Sequence, residues 1–449
     1  MQNTKEQSKI ILQKTIEKNT LKIEDIEKFY INNNSQSKYG LEYERLSLNK
    51  KTLENASYEV MAKIISDFSG ILNWEIVYDE DTIIGAKDKI GNSISLEPGC
   101  QLEISLKPEE NILDIDLNLT KYTALLDKIA DIYDVCFLGY GVSPLSNVDN
   151  IELLNKRRYK VMNNYLPHCQ YGELCPKMMR QTAGIQVNID YKNSVDAYNK
   201  LEFLNLIMPF VSALFSNSPI ENNNPTDYKS KRGYIWLYTG SDRCNMFYKN
   251  IFKGFNREKN VFKNYIKSIL DVPMIFIERN DKIIEINGKI NFLQYLKEGF
   301  MGHYATIDDY ILHQSLCFPD IRLKKYIEIR NHDSADISSA LALCTFYKGL
   351  MQNDIEELIH SFSYLKLKDT EIYFKNAAKY GLDFKINNLK SGWDVIEQLY
   401  KASVNSLSAK EKTYMNPILE MIKTKKTKAD IIIDYGFKTA FDVVDYYLK

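Results

Sequence analysis

Apolar and polar positions alternate in LEYERLSL, from Leu41 to Leu48, as they do along a half-buried strand. The period then lengthens. SYEVMAKIISDF, from Ser57, repeats its apolar residues at helical spacing. Short strand patterns follow in WEIVYD, TIIGAKD, SISLEPG and QLEIS, parted by Asp-Glu-Asp, Lys-Asp-Lys and Gly-Asn stretches that suit tight turns. NILDIDLNLTKYTALLDKIADIYD predicts a long helix, VCFLGYGVSP a buried strand entering a loop, and KRRYKVMNNYL another helix. TAGIQVNIDY predicts a strand, residues 194–215 a helix, and PMIFIERN, KIIEING and KYIEIR three further strands. Beyond about residue 333 only helical periodicity remains. Ahead of Leu41, two short polar helices and a loop, INNNSQSKYG, are expected. Strands and helices do not alternate regularly, which predicts an α+β fold: a mostly antiparallel sheet with helices on one side and a helical layer beyond about residue 350.

The strands carry acids in a repeating manner. Glu42 and Glu44 are two apart and so share a strand face, as do Gln101 and Glu103. Glu97 stands just before the Pro98-Gly99 turn, and Glu328 shares a face with Arg330. A solvated face of an antiparallel sheet would explain each acid singly. Together they call for more, because they come with Gln, Arg and a Pro-Gly turn rather than with Lys, Thr and Ser. Converging carboxylates repel, and an unpaired buried one costs several kcal/mol. Hard divalent cations such as Mg²⁺ relieve this through oxygen ligands.

Composition narrows the alternatives. A net charge of −1 over 449 residues argues against a nucleic-acid or membrane partner. The basic runs KRRYK and KTKKTK read as solvated helix faces. FLNLIMPFVSALF, from Phe203, is too short to span a bilayer and contains Pro209. The first residues lack the layout of a signal peptide, so a cytoplasmic location is expected. Seven dispersed cysteines without a CxxC pair predict free thiols, and five dispersed histidines show no zinc spacing. Neither GxxxxGK[ST] nor GxGxxG occurs, so any ATP must be held through metal ions and arginines.

These residues carry a resemblance. SLEPGCQLEIS resembles the SLEPGGQxELS segment of the plant-type glutamate–cysteine ligases, which also occur in many bacteria. YGLEYERL, FLGYG, KRRYKVMNNYLP, MMRQTAGIQVNIDY, SALFSNSP, KRGYIW with SDR, LDVPM and FPDIRLKKYIEIRNHD follow the family in order over residues 38–350. The resemblance implies a glutamine synthetase-like catalytic domain over residues 38–350. Its curved, mostly antiparallel sheet would form an open active-site funnel with helices packed outside. Residues 1–37 would be an N-terminal helical segment and 351–449 a C-terminal helical layer packed on that domain.

By the same resemblance Glu42, Glu44, Glu97, Glu103 and Glu328 would hold two or three Mg²⁺ ions, with Mn²⁺ as a substitute. Gln101 and Arg330 would contact the co-substrate ATP. Arg158 and Arg232 would clamp glutamate, and Arg330 would touch the phosphate or transition state, with Arg322 and Arg243 as second candidates. Thr182, Gln186 and Asn188 would line the substrate pocket, walled by Tyr159 and Trp236. Arg157 does not match and is expected to be solvated. The implied reaction is that of glutamate–cysteine ligase, the first step of glutathione synthesis: glutamate, cysteine and ATP give γ-glutamylcysteine, ADP and phosphate through a γ-glutamyl phosphate. One alternative is a γ-glutamyl ligase using another amine in a specialised pathway. A binding protein without catalysis is a third reading, weakened by the presence of all five acids. The expected partners are small molecules, and the expected assembly is a monomer or homodimer. Two residues depart from the family, Cys100 and Asn331, each standing where it usually has Gly.

Overall fold

The computed structural model describes residues 21–31, 37–240, 242–244, 251–252, 261–386 and 390–448. The first of the two expected N-terminal helices and most of the Asn-rich loop lie outside these; the second helix is Ile23–Tyr30.

The strands are β1 (Tyr39–Asn49), β2 (Glu75–Asp79), β3 (Thr82–Lys87), β4 (Ser93–Leu96), β5 (Leu102–Ser105), β6 (Val135–Leu138), β7 (Gly184–Ile189), β8 (Ile220–Glu221), β9 (Asn224–Pro225), β10 (Phe276–Arg279), β11 (Lys282–Glu285), β12 (Ile321–Leu323) and β13 (Ile327–Asp333). Nine of them form one sheet in the order β12-β13-β7-β1-β5-β4-β3-β2, with β6 pairing β1. Every pairing in it is antiparallel. The PMIFIERN and KIIEING strands, β10 and β11, make a separate hairpin, and β8–β9 is a short hairpin that the apolar pattern did not announce.

Strict alternation divides the sheet into two faces. Leu41, Tyr43, Ile94, Leu102, Ile104, Ile185, Val187, Ile327 and Ile329 point to one side and are buried. Two helices cover that side, Ser194–Leu214 and Ile337–Met351, both packed on the sheet strands. Asn193 starts the first by accepting from the amides of Val195 and Asp196, and Asp336 starts the second by accepting from Ser339 N. Helix Ile337–Met351 is apolar almost all round because the helix Gly392–Ser406 packs on its other side. The C-terminal helices are thus a second layer behind the sheet, leaving the opposite face open.

Among the described residues no helix is long and apolar enough to cross a membrane. All seven cysteines are free.

Candidate active site

The open face is where the acids meet. In the strand register Glu42 stands between Gln186 on β7 and Ser105 on β5. Glu44 stands directly opposite Glu103. Glu328 stands opposite Asn188 on one side and Arg322 on the other. Glu97 joins them from the end of β4, and the five carboxylates line one cavity of about 270 Å³.

Each acid is held by neighbours on the same face. Glu44 accepts from Gly184 N at 2.5 Å and from Gln186 Nε2 at 2.9 Å. Asn188 Nδ2 donates to Glu42 at 2.8 Å, and Ser105 Oγ and Ser95 Oγ donate to Glu103 at 2.9 and 3.3 Å. These bonds do not neutralise charge. Burial, then the Glu328 carboxylate, raises the Glu42 carboxyl above its ordinary value. Burial and then Glu97 push Glu44 up to about 7. Burial followed by Glu42, Glu97 and Glu44 holds Glu103 well above the carboxylate range.

Glu328 is the exception. Burial opposes its ionisation too, yet Arg322, Arg330 and Lys324 outweigh it and hold the carboxyl well below its ordinary value. Arg322 Nε lies 2.6 Å from Oε2, Arg330 Nη1 2.9 Å from the same oxygen, and Lys324 Nζ 2.6 Å from Oε1. The structure therefore places Glu328, expected among the metal ligands, in a four-residue ion cluster. Among the described residues no three His, Cys, Asp or Glu side chains converge as a ready coordination shell. The donor set still suits a hard divalent cation. Glu42, Glu44, Glu97 and Glu103 are clustered oxygen donors, three of them pushed up by burial and by one another, which a bound cation would relieve.

The cations and amides lie around this centre. Gln186 couples Glu44 to Arg330, whose Nη1 donates to Gln186 Oε1 at 2.7 Å. Arg330 Nε is buried without a protein partner. Arg232 is not in the cavity lining but lies close behind Glu44, where it passes residue 184: a Cβ there would stand 2.4 Å from Arg232 Nη2, so glycine is required. That guanidinium donates to the Arg330 carbonyl and lies over the Trp236 ring, leaving its Nε and Nη1 without partners. Arg158, Tyr159 and Thr182 line the cavity, as do Trp236 and Gln186, whereas Asn188 acts one step back by fixing Glu42.

Two of the expected contacts, Gln101 and Arg243, have bonds within the chain. Gln101 lines the cavity but is 0% exposed, and its amide is spent on the chain: Oε1 accepts from Gly99 N, and Nε2 donates to the Met179 and Thr182 carbonyls. These bonds lock the turn. Arg243 lies outside the cavity, buried, donating to the Leu316 and Pro273 carbonyls and pairing with Asp242. It fastens a loop. Arg157, expected in solvent, instead pairs with Asp79 at 2.8 Å.

Residues that sequence reasoning missed include Lys156, Lys324, Met162, Met178, Met179 and Phe318, all lining the same cavity. A signal existed for Lys324, which alternates with Glu328 along KKYIE. Lys156 sits at a helix start, where no periodicity exposes it.

The turn that carries Glu97 contains Cys100. Cys100 N donates to Glu97 O, and Glu97 N donates to Gln101 O, closing a three-residue loop that needs a left-handed residue at its end. Cys100 takes that place with φ +61°. Its thiol is 1% exposed, lies outside the cavity and is pushed up to about 12 by burial. Cys100→Gly removes about 1 kcal/mol of left-handed strain and a similar amount of buried packing. The expected variant has turnover within twofold of the parent and a melting temperature within a few degrees. A tenfold loss of turnover in steady-state assays would give the thiol a chemical role. Asn331 lies at a β-bulge between Ile329 and His332, and its φ is outside the left-handed region, so glycine is not required there.

Known proteins resemble this chain over most of its length. The family described as Glutamate-cysteine ligase family 2 (GCS2) matches residues 38–442, extending through the C-terminal helices where the short motifs thin out. The chloroplastic glutamate–cysteine ligase of Nicotiana tabacum is 29% identical over 401 residues, covering 88% of this chain and 75% of the relative. That of Arabidopsis thaliana is 29% identical over 402 residues with the same coverage. The crystal structure of a glutamate–cysteine ligase from Francisella tularensis, in complex with AMP, shares the fold with a TM-score of 0.58 at 14% identity, covering 93% of this chain and 89% of that one. An open antiparallel sheet carrying clustered acids and arginines, and a family match over nearly the whole length, lead to one conclusion: the chain belongs to glutamate–cysteine ligase family 2.

Proposed function

We propose that the cleft joins the γ-carboxylate of glutamate to the amino group of cysteine at the expense of ATP. The observation that carries this reading is the central group of carboxylates with too little positive charge, flanked by arginines whose N–H groups have no protein partner. A carboxylate does not react with an amine because oxide is too poor a leaving group. Transfer of the γ-phosphoryl group from ATP makes an acyl phosphate, and the amine then displaces phosphate. Mg²⁺ held by Glu42, Glu44, Glu97 and Glu103 would neutralise phosphate charge and fix its geometry. Two or three such ions are proposed, replaceable by Mn²⁺.

The chain's own residues supply positioning. Arg330 is oriented by Glu328 and Gln186, which leaves its Nε for a phosphoryl oxygen. Arg322 spends its donors on Glu328 and on the Ser315 and Cys317 carbonyls, so it positions the cluster. Arg232 and Arg158 are offered to glutamate carboxylate, since each guanidinium keeps a buried Nε unpaired. A cytoplasmic location belongs to the same proposal, and seven free thiols suit a reducing compartment.

Purified protein with ATP, glutamate and Mg²⁺ is expected to release ADP in a cysteine-dependent manner and to form a product with the mass of γ-glutamylcysteine. Stimulation by a different amine alone would move the protein to the other γ-glutamyl ligase reading. Binding of ATP and glutamate without ADP release, whatever amine is supplied, would leave a binding protein.

A further inference from the structure

The cleft has two cationic ends, and they differ. At the β13 end Arg322, Lys324 and Arg330 all converge on Glu328. At the other end, on the side of Glu97, Lys156 and Arg158 form no ion pair among the described residues, although both line the cavity. Lys156 stands at the start of helix Arg157–Tyr165, its Nζ 4.8 Å from the centroid of the buried Tyr159 ring. Glu97, Asp79 and Glu103 act on this ammonium through space, but none pairs with it, which leaves its N–H groups for an arriving anion.

The proposed reaction brings three anions that need fixed cations: the nucleotide, the α-carboxylate of glutamate and the α-carboxylate of an amino-acid acceptor. Arg232 is the deepest of the uncommitted cations, 3% exposed beside Gly184 and Glu44. It suits the donor, which must be phosphorylated at the centre. Lys156 is only part-buried and so nearer the solvent, from which the acceptor must enter once the acyl phosphate has formed. Met162, Met178 and Met179 line the same cavity and offer a soft apolar wall to a short side chain. Resting on the ligase reading above, we infer that Lys156 anchors the α-carboxylate of the acceptor, and thereby selects an α-amino acid over a simple amine.

The test compares cysteine with cysteamine, the same amine and thiol without the carboxylate, in the parent, Lys156→Met and Lys156→Arg. The parent is expected to prefer cysteine. In Lys156→Met the ratio of kcat/KM for cysteine over cysteamine is expected to fall about 10- to 100-fold, the worth of one charged hydrogen bond. The change should appear in KM for cysteine and not in KM for glutamate or ATP. Lys156→Arg should restore part of the ratio. A rise in KM for glutamate instead, or an equal loss for both acceptors, would overturn the assignment. A parent enzyme without cysteine-dependent ADP release would overturn the ligase reading itself, whereas an active parent with an unchanged ratio in Lys156→Met would overturn this proposal alone.

Discussion

Glu103→Gln is expected to abolish ligase turnover while making the ligand-free protein more stable. Glu103 faces Glu44 across β1 and β5 and is repelled by Glu42, Glu97 and Glu44. Glutamine keeps an oxygen for the Ser95 and Ser105 hydroxyls but loses the charge. Without that charge the site holds cations and phosphates poorly, and a loss of about 10³-fold or more follows. Stability should move the other way. Because the folded state raises the Glu103 carboxyl, its favourable contribution is present below the unfolded value, roughly pH 4.3, and is lost as pH rises through the folded one. Glutamine removes that loss. The variant should therefore melt roughly 1–3 °C above the parent at pH 8 and level with it near pH 4. Calorimetry at the two pH values, beside ADP release at neutral pH, checks both halves. Near-normal turnover would return these acids to an ordinary wet sheet face.

Glu328→Gln is the opposite case, although the chemical change is the same. Glu328 is 1% exposed and holds three cations. Removing its charge leaves Arg322, Lys324 and Arg330 facing one another without the carboxylate they share, at a cost of about 3–5 kcal/mol. The folded state lowers the Glu328 carboxyl, so its stabilisation is present above the unfolded value and lost as pH falls through the folded one. The destabilisation should be full at pH 7 and shrink in acid. Turnover should also vanish, because Arg330 loses the partner that aims it. Denaturant titration at pH 7 and in acid checks this. An unchanged midpoint at pH 7 would mean that the cluster does not hold β12 and β13 together.

The two variants show what alternation along a chain conveys and what it leaves out. Period two places Glu42 with Glu44, and Glu328 with Arg330, on a common face before any fold is known. It does not convey register. Nothing in LEYERL or QLEIS states that Glu44 will face Glu103, because that pairing depends on the length of the loops between β1 and β5. It also does not convey which arginine has spent its donors. Arg243 and Arg232 look alike in sequence, but Arg243 pairs with Asp242 and donates to the carbonyls of Leu316 and Pro273, while Arg232 has one carbonyl partner and lies behind Glu44 with Nε and Nη1 unpaired. Gln101 reads as a polar strand residue, and only the return of residues 179–182 beneath the turn shows that its amide is consumed.

The sheet order has a consequence for how the protein comes into being. β1 lies in the middle, with β5, β6 and β7 as its partners, and the charge cluster closes only when β13 docks on β7, nearly three hundred positions after β1 in the chain. Contacts so distant in sequence make folding slow, since loop closure must precede the pairing that rewards it. During synthesis the acids of β1 and β5 emerge first and wait for Arg322 and Arg330. On the proposed assignment, a partly made chain lacks Arg330 and would not be competent to split ATP until β12 and β13 have docked.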